Sequence, residues 1–130
     1  MVTSENNFEV VSAEVTVKIK GNGSDWESVS EARVKIKING NIEHKIAEGN
    51  GPLNALDNAL RKALPWLSQI TLSDYAVNVF DGLSTEARVK VFIWFLMGEK
   101  RWTVEEVSTD IINASLHALV NGYKMAISDS

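Results

Sequence analysis

The chain has 130 residues, 45% of them hydrophobic, and a formal net charge of −4. A domain of that size buries an adequate core without staples, and the lack of cysteine removes both a disulfide framework and a thiolate metal site. The acidic balance argues against a polyanion partner, which needs a clustered basic surface to displace counterions.

Met1–Asn7 is polar and has no basic-then-apolar signal pattern, and no stretch reaches the ~20 apolar residues of a membrane span. A cytoplasmic protein with a disordered tail over 1–7 is expected. From Phe8 to Lys20, Val15, Val17 and Ile19 alternate with Thr16, Lys18 and Lys20, the period-two pattern of a half-buried strand. Turn residues follow at Gly21–Asp25. The alternation returns over Val29–Asn39, with Val34, Ile36 and Ile38 opposite Arg33, Lys35 and Lys37. The basic stripe this creates has the spacing of a solvated sheet face. Asn39-Gly40 adopts positive φ readily and predicts a hairpin into a third strand near Ile42–Ala47.

Gly49-Asn50-Gly51-Pro52 then precedes Leu53, Leu56, Leu60 and Leu64 at helical spacing. Proline in the first turn loses no intrahelical hydrogen bond, so a helix is expected over Pro52–Leu64, stopped by Pro65. Ile70–Phe80 alternates again, interrupted at Asp74-Tyr75, and Asp81-Gly82 breaks the pattern. Thr85–Met97 is apolar on both faces, Val89, Val91, Ile93 and Phe95 on one and Phe92, Trp94 and Leu96 on the other, so it needs two covers. One is the domain's own helices; a second subunit is a natural candidate for the other. A short strand over Arg101–Val107 leads to a last helix with Ser108 as its cap, Asp110 in its first turn, and Ile111, Ile112, Ser115, Leu119, Gly122 and Tyr123 facing inward.

The order strand, strand, strand, helix thus occurs twice. Asn54-Ala55-Leu56 with Ala59-Leu60 matches Asn113-Ala114-Ser115 with Ala118-Leu119 at a constant offset of 59. These features predict an α+β fold of two βββα repeats, about 8–65 and 69–126, related by a pseudo-twofold axis with two helices covering the sheets. They form a single domain over 8–126, followed by a tail at 127–130.

No catalytic constellation emerges. His44 and His117 stand apart from other ligand types, no Gly-x-Ser-x-Gly elbow is present, and neither a metal nor a cofactor is expected. Glu48–Asn54 is harder to explain as scaffold alone: two glycines and free backbone N–H groups at a helix start can seat a carboxylate, although Gly-Asn-Gly is also a good turn.

The run Ala47-Glu48-Gly49-Asn50-Gly51-Pro52-Leu53-Asn54-Ala55-Leu56-Asp57-Asn58-Ala59-Leu60-Arg61-Lys62-Ala63-Leu64 resembles the glycine-loop helix in the regulatory domain of 2-isopropylmalate and citramalate synthases. Leu72-Ser73-Asp74-Tyr75, Thr85–Val91 and Trp102–Ser115 resemble the motifs that follow it, so the likeness runs from about Phe8 to Tyr123. The resemblance implies a homodimerising, feedback-regulated domain with its effector at the dimer interface. Gly49, Asn50, Gly51, Leu53 and Asn54 would line the loop side of that site, and Leu72, Tyr75, Val79, Thr85, Ala87 and Val89 its strand side.

The wording of the helix is nearer to citramalate synthases, whose end product is isoleucine; a leucine sensor of the 2-isopropylmalate type is the alternative. The catalytic barrel of the family is absent. No chemistry is therefore implied for this chain, only partnership with the catalytic domain of a parent acyl-CoA-dependent acyltransferase. Glu106 stands where the family usually has glycine, which leaves Thr109 and Ile111 as secondary contacts and keeps open a dimerisation module without ligand.

Overall fold

A computed structural model describes residues 6–81 and 87–128. Thr85 and most of the two expected tails lie outside these residues. The order is β1 (Phe8–Asn22), β2 (Asp25–Ile38), β3 (Asn41–Gly49), α1 (Pro52–Ala63), a 3-10 turn at Pro65–Gln69, β4 (Thr71–Asp81), β5 (Ala87–Met97), β6 (Lys100–Ser108) and α2 (Ile111–Ser128). Two antiparallel three-stranded sheets, β1-β2-β3 and β4-β5-β6, are each followed by a helix, giving the expected α+β order. The chain falls into two compact units that divide between Trp66 and Leu67.

In the first unit, residues directly opposite one another on antiparallel strands share a face. Ala32, Val34 and Ile36 of β2, Ala47 of β3 and Phe8 of β1 are buried on the face that receives α1. The helix contributes Leu56 and Leu60, both fully buried, each preceded by a buried alanine, Ala55 and Ala59. Among the described residues Asp57 is the one buried carboxylate here, and Arg61 one turn later donates to it at 2.9 Å. The other face carries Arg33 and Lys35 as a solvated stripe, partly neutralised by Glu31, which meets Lys18 at 3.7 Å and Arg33 at 3.2 Å.

β2 begins four residues before the expected Val29, because Asp25–Ser28 pairs with β1 although this stretch, with Trp26 as its one apolar residue, shows no alternation. The connection shrinks to Gly23-Ser24, with Gly23 at φ 75°. At the β2–β3 turn Asn39 and Gly40 both take positive φ, 51° and 82°, as a two-residue hairpin with right-handed strand twist requires.

In the second unit, β5 buries Val91, Ile93 and Phe95 beneath α2. Phe95 stacks on Trp102 with ring centroids 5.5 Å apart and meets Tyr123 edge-on at 5.5 Å. A Cβ on Gly122 would lie 2.0 Å from the Phe95 ring, so only glycine lets α2 settle onto that aromatic row. The carbonyl of Gly122 accepts from the Trp102 indole N–H at 2.9 Å. Phe92, Trp94 and Leu96 stay half-buried on the opposite face, where Phe92 and Trp94 stack at 5.8 Å.

Two details of α2 differ from expectation. Its cap is Asp110, whose carboxylate accepts from Ile112 N at 2.8 Å and Asn113 N at 3.3 Å, while Ser108 Oγ accepts from Asp110 N at 3.1 Å. Its buried face runs through Ala114, Ser115, Ala118, Leu119, Tyr123 and Ala126, which leaves Ile111 outside, 42% exposed. The helix therefore starts one residue past the aspartate, and the phase of the inner face follows the small residues that let it approach the sheet.

Candidate functional site

The loop side of the expected site is built by β3 meeting α1. Gly49 ends β3, and a Cβ there would stand 2.4 Å from Ala55 N and 2.6 Å from Asn54 Oδ1. The strand and the helix backbone can therefore be this close only over a glycine. Asn54 Oδ1 accepts from Asn50 N at 3.1 Å and from Asn58 Nδ2 at 3.4 Å, and Asn58 Nδ2 also reaches Glu48 O at 2.9 Å. One turn on, Lys62 donates to Ile46 O at 2.8 Å. Asn54, Asn58 and Lys62 thus form one polar flank, spaced at i, i+4 and i+8, that holds α1 to β3.

Gly51 has a different character. It is the N-cap of α1 at φ −174°, extended backbone open to any residue, and a Cβ added there would meet nothing within 4 Å. No side chain caps the helix and no acidic residue lies in its first turn. The backbone N–H groups at the start of α1 therefore have no side-chain cap, with the positive end of the helix dipole behind them.

The strand side belongs to β4 and β5 in the second unit. In a regular strand Leu72 and Tyr75 would point to opposite faces, but a bulge between Leu72 and Asp74 adds one residue and restores both to the helix side. Leu72 pairs with Phe95, Tyr75 with Ile93 and Val79 with Val89, giving one apolar face. Ser73, the extra residue, donates to Trp94 O at 3.3 Å, and Asp74 Oδ1 accepts from Tyr75 N at 2.8 Å. Tyr75 and Val89 are half-buried, whereas Val79 is 69% exposed. The backbone of Ala87 closes the ladder opposite Asp81.

Sequence reasoning missed Ser115 as a partner of this face. Its Oγ lies 3.2 Å from the Tyr75 hydroxyl and it is 2% exposed. The signal available was a serine among the alanine, leucine and tyrosine side chains of the last helix's inner face.

Over residues 1–127 the sequence matches the family described as the LeuA allosteric (dimerisation) domain. The chain belongs to that family. It is 45% identical over 108 residues to an (R)-citramalate synthase of Geobacter sulfurreducens, covering 78% of this chain and 20% of the relative. A Synechocystis (R)-citramalate synthase is 42% identical over 101 residues, 74% of this chain and 18% of that protein. One from Streptomyces coelicolor is 36% identical over 121 residues, 89% and 22% respectively. The chain spans about a fifth of the length of these curated relatives.

Within this LeuA-type domain the two repeats differ at the helix starts. Pro52 and Ile111 open α1 and α2 at the 59-residue spacing, so Gly51 and Asp110 are equivalent caps. Where α1 presents bare N–H groups, α2 presents groups already satisfied by its own carboxylate. Glu106 is likewise engaged, accepting from the Asn121 side chain. Thr109 and Ile111, the secondary candidates, flank this closed end and are exposed. His44 and His117 are exposed on β3 and α2. Among the described residues no group of three or more His, Cys, Asp or Glu side chains could hold a metal, and no helix is long and apolar enough to cross a membrane.

Proposed function

We propose that this LeuA-type domain forms a homodimer and binds isoleucine as the feedback effector of a cytoplasmic citramalate synthase-type enzyme. The observation that carries this reading is the uncapped start of α1 beside Gly51, a glycine that neither backbone conformation nor packing demands. The effector's carboxylate sits against the Gly49–Gly51 backbone and the N–H groups opening α1, at Leu53 and Asn54. Both acceptor positions of Asn54 Oδ1 are used within the loop, so the side chain offers its Nδ2–H groups to the carboxylate, and main-chain carbonyls meet the ammonium.

Leu53 contributes apolar contact on the loop side. Leu72, Tyr75, Val79, Thr85, Ala87 and Val89 are the proposed strand-side contacts, a role that rests on the family resemblance. Burying a branched side chain contributes about 1.5–3 kcal/mol, which suits micromolar affinity once the charged ends are also satisfied. Isoleucine and leucine are isomers, so pocket shape must separate them. Similarity to proteins named (R)-citramalate synthase supports the citramalate-type reading, and isoleucine follows from the family resemblance, which implies it as the end product. Feedback requires that effector-bound and free domains hold the catalytic parts of the parent enzyme differently.

The test is a calorimetric titration of the chain with isoleucine, leucine and valine, with alanine as control. Selective isoleucine binding, weakened by Tyr75→Ala, is expected. Selective leucine binding would move the parent to the 2-isopropylmalate type. A folded dimer that binds none of them would leave a dimerisation module.

A further inference from the structure

The third strand supports only part of the first sheet. β3 pairs with β2 from Ser30 to Ile38, whereas β1 and β2 stay paired from Val17↔Ser30 to Asn22↔Asp25. Beyond Ser30 the hairpin is a two-stranded ribbon, and every residue from Thr16 to Val29 is exposed. Such a ribbon is marginally stable in water unless something covers it.

Its two faces differ. One carries Thr16, Lys18, Lys20, Glu27 and Glu31 with Val29 among them, and Lys18 and Glu31 form an ion pair at 3.7 Å. The other carries Val17, 47% exposed, Ile19, 62% exposed, and Trp26, 70% exposed. Trp26 lies over Gly21, where a Cβ would be 2.5 Å from its ring, so the pair fixes the indole on this apolar face. An exposed tryptophan held in place by its cross-strand glycine is the kind of preorganised anchor that dominates binding energy at interfaces.

We infer that this ribbon is a docking arm for a second copy of the chain, with Trp26 as its anchor and Ile19 and Val17 beside it. The family is that of a dimerisation domain, so a second copy is the partner its members are described as having. The same chain offers apolar ground for an arm to cover, since Val107, Ile111 and Met125 are each more than 40% exposed. Trp26 brings on the order of 150 Å² and a twofold doubles it. That suffices for an anchor within a standard interface of about 800 Å² per partner, with the remainder coming from such flanking side chains. The ion-paired opposite face remains in water.

Sedimentation velocity on the whole chain tests this. Trp26→Lys is expected to raise the dimer dissociation constant by about 30-fold or more, while Val29→Lys, on the opposite face, leaves it unchanged. Because Trp26→Lys could also loosen the ribbon, wild-type dimers mixed from isotope-labelled and unlabelled chains give an independent reading. Intermolecular NOEs to the Trp26 indole are expected.

A wild-type chain that stays monomeric at micromolar concentration overturns the inference. So does a Trp26→Lys dimer of unaltered affinity, or a wild-type dimer in which Trp26 remains in water, which would assign the arm to another part of a longer parent. The inference is independent of effector binding: loss of isoleucine affinity with an intact Trp26 contact would sink only the sensor reading.

Discussion

Gly49 and Gly51 stand two positions apart and are glycine for opposite reasons. At Gly49 the demand is steric: Ala55 N and Asn54 Oδ1 occupy the space a methyl would need. Gly49→Ala must push β3 off α1 and is expected to destabilise the domain by about 2–3 kcal/mol, read as a lower urea midpoint at constant m. At Gly51 space is free and the backbone is extended, so Gly51→Asp fits and supplies the missing cap. It should stabilise the fold by about 0.5–1 kcal/mol through the cap and the helix dipole. The same carboxylate would occupy the place proposed for the effector's own, so isoleucine binding should fall beyond detection while Tm rises. Loss of binding with lower stability would mean only a damaged loop, and retained binding would move the carboxylate elsewhere. The glycine pair was visible in the sequence as a feature to explain, but the division of labour was not, because it depends on how near α1 comes.

At the scale of elements, the hydrophobic alternation and turn residues were sufficient to place all six strands and both helices, since periodicity reports which side of an element is covered. They failed where the pattern carries no contrast. The strand stretch Asp25–Ser28 has Trp26 as its one apolar residue and so offers no alternation, and the helix start at Asp110 depends on hydrogen bonds to Ile112 and Asn113 that hydropathy cannot register. The interruption at Asp74-Tyr75 was legible as an irregularity, and its meaning is a bulge that holds Leu72 and Tyr75 on the same face. Deleting Ser73 removes the extra residue, so either Leu72 or the Tyr75–Val77 stretch must turn to the outer face. The Tyr75–Ser115 contact across to α2 would go with the second outcome. The deletion is therefore expected to cost about 3 kcal/mol or more, measurable by urea unfolding, and to abolish effector binding. A deletion variant of wild-type stability would show that the bulge has no part in setting the register.

Across the whole molecule the 59-residue repeat first noticed in two helices extends to the hydrogen-bond ladders. Ser30 pairs with Gly49 and Val89 with Ser108, both shifted by the same amount, and Asn39 and Gly98 take positive φ at equivalent turn positions. Duplication of a fold duplicates its potential binding places unless side chains intervene, and here they do. α1 begins at a bare glycine, whereas α2 begins at a carboxylate that already satisfies the N–H groups of Ile112 and Asn113. A second negative charge at α2 would have to displace Asp110 from those donors and bear its repulsion, which removes the advantage a helix start gives an anion. A domain carrying two equivalent frames should therefore saturate at one isoleucine per chain. The calorimetric stoichiometry reads this directly, and at a hundredfold excess over Kd the bound form should gain about 2.7 kcal/mol against unfolding from a single site. Two equivalents per chain would show that Asp110 does not close the second frame, while leaving the first site in place.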